Sequence, residues 1–471
     1  MIKDLTVGDP TKLIIKFSIP LLLGNILQQL YNISDIIIVG RLIGVNALAA
    51  VGASAPIFFV LLLITLGFTG GLTVITAQKF GSKDPAGLRK SVTHSFIASI
   101  ILSLLITAGM EIYLRPLLQI MNVPAEIMDD AYRFMSILSY GLAMIVCYNL
   151  LAGFIRALGD SKTPLYFLFF STFLNIGLNL YLIYVMKLGV AGSAIGTVIA
   201  MTISVAACLF YIRRKFPILN LHKEDWKFDA RLMKEHLQVA VPMSLQFSVI
   251  ALSLMIIQSV CNSFGADTIA AFTSALRIEQ LATQPLVALG LALATYSAQN
   301  FGAGLLGRIR RGVFNCSLIS LGFSIFIALA VRLAGERMIG VFIENGNPQI
   351  INTAQTYLNI STLFYFFLGM IFIFRNALQG MGKAMIPMAA SIVELVMRSY
   401  AAIYLADKLG YIGICYASPI AWIGAAVVVS AGYYLTIRKM YKQYAGNHWK
   451  IIRQKLGCDN AEALIDAAPA E

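Results

Sequence analysis

The stretch AQKFG, residues 77–81, recurs almost unchanged as AQNFG at residues 298–302, an offset of 221 from Ala77 to Ala298. Further matches at the same offset are LRKSV with IRRGV (88–92 and 309–313), the two LG..G segments that begin at 188 and 409, NALAA with DTIAA (46–50 and 267–271), and Gly159 and Lys162 with Gly380 and Lys383. Short matches at one constant offset indicate a structural unit used twice. The sequence therefore predicts two homologous halves.

The composition indicates a membrane protein. Of the 471 residues 58% are hydrophobic and only 13% are charged, whereas an average soluble domain has about 25% charged residues. Apolar runs recur along the whole chain, and several approach or exceed the roughly 20 residues that cross a bilayer as a helix. A soluble protein could have one or two such runs, but not a dozen. The first run, from Leu13, has no small-residue cleavage site after it, so we interpret it as a retained span rather than a signal peptide.

We predict an all-α integral membrane fold with twelve transmembrane helices in two six-helix bundles. The spans are placed at 14–40, 46–78, 91–113, 127–155, 163–186, 189–212, 235–264, 268–299, 312–333, 349–375, 384–406 and 412–437. They form an N-terminal lobe (1–220), a C-terminal lobe (221–440) and a cytoplasmic tail (441–471), with the charged segment 213–234 as the linker. Six spans return the chain to its starting side, so the halves have the same orientation and a pseudo-twofold axis along the membrane normal. A cleft between two such bundles is where transporters hold substrate.

The basic residues predict the orientation. The net charge is +13, which alone could suggest a nucleic-acid partner. With twelve spans, however, 27 of the 36 lysines and arginines, Arg375 and Lys383 among them, fall on one side, seven fall on the other, and Arg277 and Arg398 lie inside spans. This asymmetry is the positive-inside pattern. We therefore expect a multi-pass protein of the cell membrane with both termini in the cytoplasm and no nucleic-acid partner.

Motifs of enzymes and metal centres are missing from the sequence. The six cysteines are scattered with no CxxC pair, and the four histidines lack metal-ligand spacing. GMGKA at 380–384 lacks the first glycine and the Ser/Thr of a phosphate-binding loop, and neither GxSxG nor HExxH occurs. We predict that the protein is not an enzyme and has no cofactor. The expected energy source is an ion gradient.

An acidic residue lies within the first span, in LQQLYNISDIIIVGRL (27–42). A charge at the centre of a span costs about 2.5–3.5 kcal/mol on insertion scales, which makes Asp35 a functional candidate. Asn175 and Asn179 share one face of the fifth span by their i,i+4 spacing, and Thr197 lies in the sixth. At about 1.5 Å per residue the four side chains fall within roughly 9 Å of one another in depth.

Two interpretations of this set remain. Carboxylate, amide and hydroxyl oxygens suit sodium, and the carboxylate also suits a proton. The alternative is a static hydrogen-bond cluster between helices. At offset 221 the second half has other residues: Ile256, Val396, Tyr400 and Ser418. A structural cluster common to both bundles should occur twice, so the comparison favours a cation site, with Na⁺ at Asp35 as the one possible metal ion.

The first span also supplies candidates for the substrate cleft and for a hinge. Gln28, Asn32 and Asp35 continue a polar stripe that begins at Asn25, so this face should look inward, and we take Gln28 and Asn32 as cleft candidates. Pro20 frees a backbone carbonyl and allows a bend. It could equally be a helix-start proline near the interface.

The second half has charged residues of its own inside spans. Glu394 and Arg398 have i,i+4 spacing and should form a structural pair, although a position in the substrate path stays open. Glu279 has no oppositely charged residue four positions away on its helix, and Arg277, two positions away, points elsewhere. Glu279 and Arg277 are therefore further candidates for the substrate cleft.

The chain resembles the multidrug and toxic compound extrusion (MATE) transporters, in the prokaryotic branch often named DinF-like. The resemblance covers nearly all of 1–440 and rests on SIPLLLGNILQQLYNISDIIIVGRLIG, AAVGAS, AQKFG/AQNFG, RALGDSKTP and the twofold six-span layout. In that branch a first-span Asp, a fifth-span Asn and Asp, and a sixth-span Thr build a cation site, which implies this role for Asp35, Asn175 and Thr197. The fourth position is Asn179 here. An amide cannot hold a proton, so Asp35 would be the one titratable group.

The resemblance implies a secondary antiporter that exports small organic compounds, cationic or amphipathic, in exchange for H⁺ or Na⁺ by alternating access of two lobes. We expect a monomer in the lipid bilayer. The alternative within the same superfamily is a flippase for lipid-linked sugars or lipids. A flippase should have a cationic cleft, and the few arginines inside spans argue against one. A membrane enzyme or receptor does not account for the repeat.

Overall fold

The computed structural model describes residues 3–341 and 347–456, except for the side chains of 32, 33, 35–37, 45 and 444–456. Within these ranges every regular element is helical, as predicted for an all-α fold, with no strand. The first half contains α1 (Pro10–Leu42), α2 (Val45–Gly81), α3 (Pro85–Ile120), α4 (Ala125–Tyr140), α5 (Leu142–Ala157), α6 (Lys162–Leu180) and α7 (Gly189–Lys215). The second contains α8 (Ala230–Asn262), α9 (Ala266–Gly302), α10 (Leu306–Gly340), α11 (Pro348–Leu363), α12 (Tyr365–Gly380), α13 (Met385–Leu409) and α14 (Tyr411–Leu456).

The helices account for twelve spans. In the described chain ten are long and apolar enough to cross a membrane, and two bent pairs raise the number to twelve if each pair is one span. The predicted spans 127–155 and 349–375 are each a bent pair of helices, since α4 and α5 meet at 46° and α11 and α12 meet at 52°. At the first bend a side chain on Gly141 would lie 2.2 Å from Val198, so α7 packs against the backbone there. Such close packing selects glycine.

One end of the bundle is rich in basic residues, and three of its helices begin there with an aspartate cap. The Asp9 carboxylate accepts from the Lys12 N–H, Asp84 accepts from Gly87, and Asp229 accepts from Arg231 and Leu232. Each cap satisfies N–H groups that the first helical turn leaves unpaired. We call this the basic end. It also holds the α5–α6 turn and the ends of α2, α9 and α12.

The two lobes are packed together at the basic end. Side chains added at Gly67 and Gly71 of α2 would lie 2.7 Å from the Met243 carbonyl oxygen and 2.4 Å from Ala240 Cα, both in α8. Small residues allow helix backbones to approach this closely inside a membrane. The Ser244 hydroxyl adds a bond of 2.9 Å to the Ile64 carbonyl. The contact joins the basic-end halves of α2 and α8.

The linker is folded against the first lobe rather than being a solvated run of charges. Asp225 is buried, and its carboxylate contacts the Arg89 guanidinium at 3.1 Å. The Thr93 hydroxyl donates to the Asp225 carbonyl at 2.7 Å, and the Asp229 N–H donates to Nε2 of the buried His94 at 2.8 Å. The start of α8 is thereby fixed to α3.

Candidate functional sites

The first lobe contains a buried cluster of uncharged polar side chains between α6 and α7. The Asn179 amide donates to Asn175 Oδ1 at 3.2 Å, and the Asn175 amide donates to Thr197 Oγ1 at 3.1 Å. All three residues are at most 9% exposed. The structure therefore brings together three of the four residues predicted for the cation site.

The fourth residue, Asp35, is in α1, but its side chain and that of Asn32 lie outside the described part of the structure. The position of α1 is defined one turn earlier, because the Tyr31 hydroxyl lies 3.5 Å from Thr197 Oγ1. The sequence analysis did not single out Tyr31. Its spacing of three residues from Gln28 and four residues from Asp35, which puts it on their helix face, could have indicated it.

Close packing positions the amide of Asn179. A side chain added at Gly196 of α7 would lie 2.2 Å from Asn179 Oδ1. Only a glycine lets α7 come this near to an amide on α6. The Asn179 carboxamide is thus confined in direction, so its oxygen occupies a defined place in the lobe interior.

Helices α6 and α13 occupy corresponding places in the two lobes but do not correspond at the offset of 221 residues. α6 begins at Lys162 and α13 begins at Met385, so these helices are offset by 223 residues rather than 221. A shift of two residues in the alignment turns a position by about 200° around the helix axis. For this reason Val396 and Tyr400 are exposed, and the residue that corresponds to Asn175 is Arg398.

The second lobe has a buried charged network on the corresponding face. Glu394 contacts Arg398 at 2.7 Å, as predicted, and Arg375 at 3.3 Å through its other oxygen. The Arg398 guanidinium also donates to the Ser253 hydroxyl at 2.8 Å, which connects α13 to α8. The placement of Arg375 at the basic surface was wrong. It is 8% exposed, because α12 continues five residues beyond it and turns it toward α13.

Glu279 lies next to this network, within reach of the Arg398 charge. It is half-buried in α9, and Tyr357 of α11 donates to its carboxylate at 3.2 Å. Arg277 is exposed two residues earlier, so the two candidates do not share a face. Gln28, the remaining described cleft candidate, is exposed on α1. Among the described residues, no three His, Cys, Asp or Glu side chains form a metal-binding group.

Helix α1 contacts both lobes, on either side of Pro20. Before the proline, Ile14 and Phe17 are buried in a core whose other members include Leu293 and Tyr296 of α9. After the proline, a side chain at Gly24 would meet leucines of α6 at 3.9 Å, and Tyr31 meets α7. Pro20 is itself buried and lies within the helix, so the structure excludes the helix-start interpretation.

Comparisons with known proteins agree with this architecture. The MatE family profile matches residues 20–181 and 242–402, one segment in each half. The probable multidrug resistance protein YpnP of Bacillus subtilis (strain 168) is 28% identical over 399 residues, which cover 84% of this chain and 88% of YpnP. YoeA of the same strain, another probable multidrug resistance protein, is 27% identical over 435 residues, covering 90% of this chain and 93% of YoeA.

A solved structure shows the same fold. An outward-facing multidrug resistance MATE transporter superimposes with a TM-score of 0.85 at 25% identity, over 93% of this chain and 98% of that one. The matched profile segments together cover more than half of the sequence. The chain therefore belongs to the MatE family, the MATE transporters that its sequence resembles.

Proposed function

We propose that the protein is a secondary antiporter that exports small organic compounds, cationic or amphipathic, in exchange for H⁺ or Na⁺. The similarity to multidrug resistance proteins supports the export of such compounds. One observation above the others supports ion coupling. It is the buried series of hydrogen bonds from Asn179 through Asn175 to Thr197, beside α1. Its oxygens are hard ligands, and Asp35 follows Tyr31 by one turn of α1.

The uncharged character of the cluster supports a role for Asp35 as the one titratable member. The Asn175 and Asn179 amides can coordinate Na⁺ through oxygen, but they neither gain nor lose a proton near neutral pH. A proton-coupled cycle would then depend on Asp35 alone, whereas a sodium-coupled cycle could also use the amide oxygens. The choice between the two ions is therefore a question that a gradient experiment can decide.

The division of α1 at Pro20 suggests how ion binding could reach the other lobe. The short segment of α1 before Pro20 packs on α9, and the longer segment after it packs on α6 and α7. Since proline removes one backbone hydrogen bond, the helix can bend at this point. A ligand shifts a conformational equilibrium only through its different affinities for the two states. We infer that an ion near Asp35 shifts the segment of α1 after Pro20 relative to the segment held by α9.

The basic end is proposed to face the cytoplasm, with the protein working as a monomer in the cell membrane. The charge asymmetry supports this orientation. Reporter fusions test it: fusions after Lys442 and at Lys83 should both read cytoplasmic, and one at Asn345 should read external. The last position lies outside the described residues. An external signal at Lys83 would reverse the orientation.

The decisive experiment is transport of a fluorescent organic cation by the protein reconstituted in vesicles, under an imposed proton or sodium gradient. We expect one gradient to drive uptake or release in the wild type, and Asp35→Asn to abolish gradient-driven movement while the purified variant still binds the dye. Ser34→Ala is the matched control, because the Ser34 hydroxyl donates to the Leu30 carbonyl of its own helix at 2.8 Å. Asn179→Asp should add a second titratable group and raise the response to the proton gradient.

Two outcomes would contradict the proposal. If Asp35→Asn transports as well as the wild type, the carboxylate is structural and Glu279 is the next residue to test. If the wild type moves no organic cation but translocates a fluorescent lipid or lipid-linked sugar, the flippase alternative is correct.

A further inference from the structure

A cavity of about 460 Å³ lies at the basic end, where the start of α1 from the first half meets the start of α10 from the second. The residues that line it are Gly8, Asp9, Pro10, Leu305, Gly307, Arg308 and Arg311. It is distant in the fold from the α6–α7 cluster, which lies between other helices. None of these residues has a role in the transport cycle described above.

The cavity presents fixed positive charge. Arg308 is held by two hydrogen bonds, from Nε to Asn300 Oδ1 at 2.9 Å and from Nη2 to the Leu5 carbonyl at 3.3 Å. Its guanidinium also lies 5.9 Å from the centre of the Tyr296 ring. These contacts leave other N–H groups of a half-buried guanidinium for the cavity. An arginine held in this way loses little side-chain entropy when it binds an anion.

Arg311 adds a second charge, and the carboxylate among the lining residues is already engaged. Arg311 is exposed on α10, one turn beyond Arg308. Asp9 accepts the Lys12 N–H at 2.8 Å as the cap of α1. Two arginines against one capping carboxylate leave the cavity with a net positive charge. This charge favours a ligand with a phosphate group, which arginine binds with more than one donor.

The surroundings of the cavity are those expected at the level of lipid headgroups. Phe314 and Leu318 follow Arg311 by one and two turns of α10 and are 62% and 53% exposed. On α1, Ile15 and Ile19 are also exposed, at 39% and 53%. Large exposed apolar side chains on membrane helices contact acyl chains. At about 1.5 Å per residue, Arg311 lies only ~4.5 Å along the helix from Phe314, where this apolar surface begins.

We propose that the cavity binds the phosphate headgroup of an anionic phospholipid from the leaflet at the basic end, with Arg308 as the fixed contact and Arg311 as the adaptable one. Basic pockets between transmembrane helices on the cytoplasmic side are suited to such headgroups. The adjoining apolar surface of α1 and α10 favours a lipid over a free phosphate ion. Because the walls come from both halves, the bound lipid holds them together at the end where they are in contact. This inference does not depend on which compound is transported.

Thermal unfolding of the detergent-solubilised full chain tests the proposal, with short-chain phosphatidylglycerol, short-chain phosphatidylcholine or inorganic phosphate as the added probe. A ligand that binds only the folded state raises the melting temperature. We expect phosphatidylglycerol to raise it in the wild type, and phosphatidylcholine and inorganic phosphate to leave it nearly unchanged. Arg311→Gln should lose most of the shift, and Arg311→Lys should keep part of it.

Arg310→Gln is the matched control, since Arg310 is the exposed neighbour of Arg311 but does not line the cavity. It should keep the full shift. An equal loss in Arg310→Gln and Arg311→Gln would show a diffuse charge effect and overturn the site. A shift of the same size with inorganic phosphate would overturn the assignment to a lipid, and the absence of any shift with phosphatidylglycerol would overturn the proposal as a whole.

Discussion

Gln78 and Gln299, which occupy the same place in the two repeats, each donate a side-chain hydrogen bond into the opposite half of the protein. Gln78 Nε2 lies 2.8 Å from the Gly380 carbonyl, and Gln299 Nε2 lies 2.8 Å from the Ala157 carbonyl. Gln299 Oε1 also accepts the Leu5 N–H at 2.8 Å. The recurring AQxFG motif thus forms the contact between the halves at the basic end. Opening that end requires these bonds to break.

The glycines that end the two motifs predict how the contact can be loosened. A side chain on Gly81 would lie 1.9 Å from the Gln299 carbonyl oxygen, and one on Gly302 would lie 1.9 Å from that of Gln78. Because both partners are backbone atoms, no rotamer change relieves the overlap. We expect Gly81→Ala and Gly302→Ala each to lower the free energy of unfolding by about 1–3 kcal/mol. Thermal unfolding in detergent measures this.

The two glycine substitutions should not have additive effects. One separation of the lobes would relieve both overlaps, so Gly81→Ala with Gly302→Ala should cost less than the sum of the single changes. Gly322→Ala is the control, since no atom lies within 4 Å of a side chain added there. Additive losses, or a loss in the control of the same size, would contradict a shared contact.

The first-lobe cluster predicts a variant that affects ion coupling without any change of charge. Gly196→Ala would place a methyl group 2.2 Å from Asn179 Oδ1 and displace the amide that donates to Asn175. We expect gradient-driven transport in vesicles to fall strongly, with a stability loss of about 1–3 kcal/mol for the disturbed buried hydrogen bond. Gly177→Ala, in the same region of α6 but with open space around it, should transport normally. Equal transport by the two variants would remove the cluster from the coupling mechanism.

The charged network of the second lobe predicts a non-additive pattern of stability. Glu394→Gln leaves Arg375 and Arg398 buried without their carboxylate and should cost about 3–5 kcal/mol. Adding Arg398→Gln should restore only part of this, because Arg375 also faces Glu394. Arg375→Gln alone should cost less, since the Glu394–Arg398 contact remains. Normal stability with additive losses of transport would instead assign these residues to the substrate path.

The linker predicts a pH dependence of stability. Burial raises the pKa of Asp225, but the His222 backbone N–H and the Arg89 guanidinium outweigh it and hold the pKa below its usual value. The resulting stabilisation is fully present above the unfolded-state pKa of about 3.9. It is lost as the pH falls through the lower folded-state pKa. Asp225→Asn should lower the free energy of unfolding at neutral pH by about 1.5–3 kcal/mol.

The measurement for Asp225 is thermal unfolding of wild type and variant from neutral pH down to acid. The two curves should converge at the acid end, where the wild-type carboxylate is protonated. Asp4→Asn is a suitable control, because Asp4 is exposed and bonds only the neighbouring Thr6 among the described contacts. A constant difference between the Asp225→Asn and wild-type curves at every pH would exclude the charge as the cause.

The sequence determined the class of fold and the twofold repeat, because both depend on local and recurrent features. Runs of apolar residues specify membrane helices wherever they occur, since every backbone polar group must be satisfied inside the bilayer. The i,i+4 spacings of Asn175 with Asn179 and of Glu394 with Arg398 follow from helical geometry alone, and both pairs are in contact in the structure.

Tertiary structure decided which residues of the two halves correspond and what each helix face contacts. The offset of 221 brings the AQxFG motifs together, but α6 and α13 are offset by 223, so the comparison of Asn175 with Val396 selected the wrong face. The burial of Arg375, the breaks at Gly141 and Phe364 and the docking of Leu5 on Gln299 likewise depend on partners far away in the chain. Helix periodicity fixes which residues share a face, but only the packing of one helix on another fixes what that face meets.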